Sequence, residues 1–499
     1  MVIQARKSPL RHCFLTVIRA GLFALALTSS CLTPSYAHPG HDRNTPTLAP
    51  WQQASAWPDR VITTFETDPT TSFAVTWRTD ASVTRAVAEI VRATPDAQFD
   101  IGAVRKAADS EPLDLETIRT ATQELKMPWN AGLSPVTYHS INFDGLEPDT
   151  LYAYRVGGGE GKWSEWFQLR TAPAQGPIKF IYVGDAQNGL MSHWSRVIRA
   201  GFQKMPDARF IIHAGDLVNR GSRDLEWAEW FKAVGFIHGM IPAIPVAGNH
   251  EYDSFGLIPT TNRLLSALWR PQFRLPSVDS LPATVRETAY QIHYGPNLDI
   301  FVLDTTSDTL KVQAAWLDEA LSKSTARWRI VTMHHPVFSS TQGRDGDARR
   351  EIILPVLSKH KVDLVLQGHD HTYARGPILE TQRPEREVVG DGEDVAMMFV
   401  NSVSGPKQYR FKNSRWDDYA PSGVRLDRFA EGTPFFQTIE IVDGKLSYRA
   451  YAATGDLYDS FDMTKDEQGR KRVTKGPPAT LTQRAYGPLN PYRDFKDPD

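Results

Sequence analysis

Between residues 57 and 173 the apolar positions come in short β-branched runs, at 60–66, 72–78, 83–92, 137–143, 151–156 and 165–170. Asp-, Pro- and Thr-rich turns separate them, and short alternating strands between turn signals predict a β-sandwich over 56–173. The stretch 93–133 interrupts the series with charge and helix formers, so it reads as an insertion, with helical spacing over 113–125. After residue 176 the pattern changes. The runs 178–183, 210–214, 242–247, 299–303, 329–333 and 362–366 are almost continuously apolar, as strands buried on both faces are. Amphipathic stretches at 194–204, 224–233, 312–322 and 352–360 lie between them. Alternation of this kind predicts an α/β domain over 177–460, its sheets covered by helices. The segments 435–442 and 445–452, joined by Asp443-Gly444, read as a hairpin, and the polar, Pro-rich residues 461–499 read as a tail.

Length agrees with two domains, since 499 residues exceed what one hydrophobic core usually serves. The 13 Trp and 16 Tyr serve mainly packing; Trp227 and Trp230, three apart on a predicted helix, read as core. The amino terminus is of a different kind. Arg6, Lys7, Arg11 and Arg19 precede the apolar stretch 20–27, and Ser35-Tyr36-Ala37 offers a small-x-small cleavage site, so residues 1–37 read as a secretory signal peptide. The stretch is too short for a membrane span, which needs ~20 apolar residues, so no transmembrane anchor is expected. Cys31 after Thr28-Ser29-Ser30 partly fits an acylation site, which makes a lipoprotein the alternative.

Cleavage after Ala37 removes Cys13 and Cys31, the only cysteines, and leaves neither disulfide nor thiol chemistry to the mature chain. It also removes four basic residues and no acidic one. The 56 basic and 58 acidic residues become 52 and 58, a net charge of −6 that speaks against nucleic acid as a partner. A periplasmic or secreted bacterial protein is expected, with residues 38–55, which include His38 and His41, as a flexible leader.

The chemistry lies in five polar clusters at the ends of apolar runs. They are Gly184-Asp185-Ala186-Gln187, Gly215-Asp216-Leu217-Val218-Asn219, Gly248-Asn249-His250-Glu251, Val331-Thr332-Met333-His334 and Gly368-His369-Asp370-His371. Side chains there emerge at the carboxyl edge of a sheet, where α/β folds build their sites. Asp, Asn and His are hard and borderline donors suited to iron, manganese or zinc. Two such ions sharing an anionic ligand lower the pKa of a bridging water and clamp phosphoryl oxygens for in-line attack.

On these clusters the chain resembles the calcineurin-like metallophosphoesterases, and most closely their purple acid phosphatase branch. Val75-Thr76-Trp77, the segment 146–157 and Phe167-Gln168-Leu169-Arg170-Thr171 look like that branch's fibronectin III-like N-terminal domain, and Gly368-His369-Asp370-His371-Thr372-Tyr373-Ala374-Arg375 is close to its final motif. The resemblance implies an α/β/β/α catalytic sandwich and two divalent or mixed-valence ions. It implies Asp216 as the bridge, Asp185 and His371 at the first ion, and Asn249, His334 and His369 at the second. His250 would be the general acid at the leaving-group oxygen, and Glu251 would orient it. The chain departs from the family at two positions. A purple acid phosphatase has a tyrosine where Asn219 stands, and other phosphoesterases have a histidine where Gln187 stands. Gln187 is the candidate replacement ligand through its amide oxygen. Without a phenolate, Fe(III) should be held less well and no tyrosinate colour is expected. His335 and Arg375 are candidate phosphate contacts; Arg344, Arg349 and Arg350 read as a solvated loop. Phosphate monoester hydrolysis is the leading function. A phosphodiesterase using the same ions, or a binding protein with a decayed catalytic domain, are the alternatives, and the oligomeric state is open.

Overall fold

The computed structural model describes residues 49–483, apart from 117, 119–129, 131–132, 159–160, 253–263, 342–343, 345 and 381–391. The expected signal peptide, Cys13, Cys31, His38 and His41, most of the helical stretch 113–125, and the chain beyond 483 lie outside the described residues.

Two four-stranded antiparallel sheets form the N-terminal sandwich. One runs Asp59–Thr64, Phe73–Asp80, Val136–Phe143, Asp109–Pro112; the other Val104–Ala107, Val87–Arg92, Leu151–Gly157, Phe167–Arg170. Phe73, Val75 and Trp77 alternate into a dry core with Tyr154, Val156 and Leu169. Part of the expected insertion belongs to this sandwich. Val104–Ala107 and Asp109–Pro112 are mostly exposed edge strands, and an edge with no buried face leaves no apolar period to read.

The next domain holds two sets of parallel strands. Ile178–Val183, Phe210–His213 and Ala243–Pro245 form one; Leu298–Leu303, Trp328–Met333, Leu364–Gln367 and Glu393–Asn401 form the other. Ile300, Val302, Ile330 and Leu364 share a core with Ile178, Phe180 and Ile439. The alternate residues Phe301, Leu303, Val331 and Val365 pack the other way, on Leu317, Ile353 and Leu357 of helices Leu310–Lys323 and Asp347–His360. Helices Ser195–Lys204 and Asp224–Val234 flank the first set, completing helix, sheet, sheet and helix as expected.

The structure corrects the expected end of this domain at residue 460. Leu457–Lys465 and Lys471–Lys475 are strands that link the two sets into one hydrogen-bonded path. Their charge misled the reading. Lys465 and Lys471 are buried, and both pair with the buried Asp363 at 2.8 and 3.2 Å. A buried ion cluster looks like a polar tail in sequence.

The domains are joined by polar contacts. Arg60 grips Asp224 with two bonds of 2.8 Å, and the hydroxyls of Thr63 and Tyr154 donate to the carbonyls of His238 (2.7 Å) and Gly239 (2.6 Å). His238 also meets His213, Nε2 to Nε2 at 3.1 Å, beside Trp230. Burial pushes both imidazoles down, His238 to about 4. Their folded pKa values lie below the unfolded one. The stability they confer is therefore complete above pH ~6.5 and is lost as the pH falls toward the folded values. Between pH 6.5 and 4, His238 alone should remove on the order of 3 kcal/mol, at 1.36 kcal/mol per unit. Urea unfolding as a function of pH should show this acid limb, and His238→Gln should flatten it; an unchanged slope in the variant would assign the limb elsewhere.

Candidate metal centre

Each parallel strand ends in a loop that must turn at once, and four residues of the clusters take the left-handed backbone region to do so. Asp185, Asp216, His369 and His371 have φ of 46°, 53°, 75° and 51°. Non-glycine residues adopt this region at a cost of about 1–2 kcal/mol each, which neighbours must offset. The adjoining glycines are there for room. Gly215 (φ 87°) passes directly under the ring of His334, and a Cβ on Gly248 would strike the Asp216 carboxylate.

Asp216 lies at the centre. Its Oδ1 accepts the His250 backbone N–H (3.0 Å), while its Oδ2 stands 3.1 Å from His334 Nε2 and accepts from Gln187 Nε2 at 3.0 Å. Asp185 accepts the His369 N–H with both oxygens (2.9 and 2.8 Å) and lies 3.6 Å from His371 Nε2. Asn249 Oδ1 sits 3.1 Å from His334 Nε2 and 2.9 Å from His369 Nδ1. Donor atoms of Asp216, His334 and His369 all fall within 4.8 Å of one another, as do those of Asp185, Asp216 and His371. The two groups share Asp216.

The outward nitrogens settle which inward ones are free. His334 Nδ1–H donates to the Ala214 carbonyl and His371 Nδ1–H to that of Lys407, both at 2.9 Å, leaving each Nε2 as the ligand atom. Electrostatics also fit a cation. Burial pushes Asp185 up to about 8, opposed by His334 and helped by the charge of Asp216. Burial acts on Asp216 in the same sense, but His334 and His250 outweigh it and hold that carboxyl far below its usual range. His334, despite burial, is lifted to about 9 by Asp216 and Asp185. Crowded carboxylates thus retain a positive partner, and a metal ion can replace the proton. Gln187 faces the donor atoms with its Nε2, 3.0 Å from Asp216 Oδ2 and 2.9 Å from His371 Nε2, and its buried Oε1 has no hydrogen-bond partner among the described residues.

The comparisons with known proteins decide the family. Residues 178–373 match Calcineurin-like phosphoesterase, and residues 58–171 match Purple acid Phosphatase, N-terminal domain. The chain carries a calcineurin-like phosphoesterase domain behind a purple acid phosphatase N-terminal domain. Among its relatives, purple acid phosphatase 21 of Arabidopsis thaliana is 25% identical over 310 residues, covering 60% of this chain and 67% of the relative. Phosphoenolpyruvate phosphatase of Allium cepa is 27% identical over 346 residues, covering 62% and 67%. For probable purple acid phosphatase 20 of Arabidopsis thaliana, at 27% identity, the match covers 46% of this chain and 53% of the relative's length. In fold, the purple acid phosphatase PPD1 from Lupinus luteus seeds superposes with a TM-score of 0.63 at 18% identity, covering 83% of this chain and 75% of that one. PhoD gives 0.58 at 14% identity, covering 88% and 95%.

At this site the structure places the outlying residues differently from expectation. The Glu251 carboxylate is taken up by backbone N–H groups. It is fully buried and accepts the N–H groups of Asp216 (3.0 Å), Leu217 (2.8 Å), Val218 (3.3 Å) and Gly248 (2.7 Å), so it ties down the loop of the shared aspartate. His250 is oriented instead by Nδ1–H donation to the Asn219 carbonyl at 2.8 Å. Arg375 is no phosphate contact. Its guanidinium is held by Asp459 (2.7 and 3.0 Å) and Asp427 (2.8 Å), a structural triad. His335 packs on His369, ring centres 4.3 Å apart, with Nδ1 at the Thr305 hydroxyl (2.8 Å). Nor are the arginines after His334 a solvated loop. Arg350 is buried against the Val337 carbonyl, Arg349 donates to that of Thr305, and Arg344 reaches His369. Trp227 and Trp230 are core, as expected.

Three site residues escaped the sequence reading. Lys407 and Arg220 are buried close enough to His250 for their charges to act on it. Asn130, from the expected insertion, donates to the Ser222 carbonyl at 2.6 Å and accepts the Asp224 N–H at 3.0 Å, bracing the loop beyond Asn219. A signal for Lys407 existed, since Ala396–Val400 is an apolar run ending in Asn401 and a Gly-Pro turn.

Proposed function

We propose that this phosphoesterase is an exported hydrolase of small phosphate monoesters that works with two metal ions. The observation that carries this reading is that Asp216 belongs to both donor groups, so one carboxylate can serve two ions. Asp185, Asp216 and His371 would hold the first, with Gln187 turning its amide to present Oε1. Asp216, Asn249, His334 and His369 would hold the second. When bound, the ions polarise the phosphoryl group and supply activated water.

The chain's own residues do the rest. His250 keeps its Nδ1 proton on the Asn219 carbonyl, so a proton for the leaving oxygen comes from Nε2 of the imidazolium form, which stands 3.8 Å from Asp216 Oδ2. Burial pushes this imidazole down to about 3, Asp216 opposes that, and Lys407 and Arg220 add to it. The same two cations favour a doubly charged phosphate monoester over a singly charged diester. Gln187 and Asn219 are neutral, which favours divalent iron, manganese or zinc over a ferric ion. Export is supported by the leader, and among the described residues no helix is long and apolar enough to cross a membrane. The fibronectin III-like character of the sandwich belongs to the same reading.

Reconstitution with manganese, zinc or iron tests it. Phenyl phosphate should be hydrolysed faster than bis(p-nitrophenyl) phosphate, and the iron-loaded enzyme should lack an intense visible band. Faster cleavage of the diester would overturn the monoester assignment. A tyrosinate-like band would overturn the neutral ligand set.

A further inference from the structure

Arg344, Tyr409 and Lys407 form a cationic strip along the outer edge of the metal centre, and the reaction described above makes no use of Arg344 or Tyr409. The Arg344 guanidinium lies 2.9 Å from His369 Nε2 and donates to the His369 carbonyl (3.0 Å) and the Tyr409 hydroxyl (3.2 Å). Its Cζ is 4.7 Å from the centre of the Tyr409 ring, Lys407 Nζ is 5.6 Å from that centre, and the His371 ring is 4.7 Å away. A planar ring between two cations holds the guanidinium fork in one orientation.

Two observations define what this strip meets. Among the described residues no carboxylate stands within ion-pair distance of Arg344, whereas Arg60, Arg78 and Arg375 each have at least one. Its charge reaches Asp185 and Asp370, but neither is in ion-pair contact with it; a half-buried guanidinium left without a contacting carboxylate is suited to an incoming anion, which it grips with two parallel N–H donors. Arg344 also stands at the Nε2 side of His369, while Nδ1 of that ring faces Asn249 and His334 at 2.9 and 3.3 Å. An imidazole ring therefore separates the guanidinium from the ligand atoms, and the anion it meets is not the phosphoryl group held there.

We propose that Arg344, supported by Tyr409 and Lys407, is a specificity subsite for a second anionic group. The favoured substrates are then phosphate monoesters whose alcohol carries a carboxylate or a further phosphate. This subsite rests on the phosphomonoesterase reading above.

Phenyl phosphate and its 3-carboxy and 4-carboxy derivatives test it on the metal-loaded full chain. At least one carboxylated ester should exceed the parent in kcat/KM, mainly through KM. In Arg344→Gln that preference ratio should fall by about 10- to 100-fold, the loss of a charge-assisted pair. Arg344→Lys, which keeps the charge and loses the fork, should fall part-way and decides the matter if Arg344→Gln does not fold. Equal losses on all three esters, or hydrolysis of all three by the wild type without preference, would overturn the subsite alone. Hydrolysis of none by the wild type would overturn the monoesterase reading and the subsite with it.

Discussion

Asp216→Ala should lower phosphate ester hydrolysis by roughly 10³-fold or more, the scale on which two-metal chemistry and its preorganised charge act. The reason is geometric. One oxygen is fixed by the His250 N–H at 3.0 Å, and the other lies between His334 at 3.1 Å and Gln187 at 3.0 Å, with both donor groups converging on it. Alanine would leave each ion without its shared anion, so metal content should fall together with rate. His250→Ala is the informative contrast. Its Nε2 is no member of either donor group, so that variant should keep its metal and lose about 10²–10⁴-fold in rate, the usual contribution of a general acid. Elemental analysis alongside steady-state rates separates the two outcomes. Full activity in Asp216→Ala would remove the shared ligand from the mechanism.

Glu251→Ala should be the most destabilising substitution at the site. Four backbone N–H groups, from Asp216, Leu217, Val218 and Gly248, end on this carboxylate, and the residue is 0% exposed. Truncation strands them in a place water does not reach, at about 1–3 kcal/mol for each unsatisfied group. Relaxation will recover some of this, so a loss of roughly 3–6 kcal/mol is expected in urea unfolding. Metal affinity should drop as well, because the freed loop carries Asp216. Glu251→Gln keeps one oxygen and turns an NH₂ toward the other donors, so it should fall between wild type and alanine. A Glu251→Ala chain as stable as wild type would mean that the loop is held from elsewhere.

The site was more legible than its surroundings. Asp185, Asp216, Asn249, His250, His334, His369 and His371 announce themselves because each stands at the end of a doubly buried strand, and a continuous apolar run is hard to mistake. Lys407 was hidden for the converse reason. The strand before it, Glu393–Asn401, opens on two acidic residues and follows a polar segment, which masks the apolar run inside it. Arg375 is expected at the phosphate and Arg344 in a solvated loop, but adjacency in sequence says nothing about direction. Along Tyr373–Leu379 the chain carries Arg375 to Asp459 and Asp427, whereas Arg344, ten residues after His334, folds back onto His369. Glu251 shows the same limit. Its neighbour His250 sets its ring between the Asn219 carbonyl and Asp216, while the glutamate turns under the loop and acts through backbone N–H groups, which side-chain identity does not reveal. The strands at 457–475 were missed because buried lysines around Asp363 imitate a solvated tail.

The most direct measurement is anomalous scattering from crystals of the manganese- or zinc-loaded chain. Two peaks should appear, ~3.5–4 Å apart as in shared-ligand centres, with Asp216 between them, Asp185, His371 and Gln187 around one, and Asn249, His334 and His369 around the other. A single peak, or two peaks that do not share Asp216, would contradict a two-metal phosphoesterase.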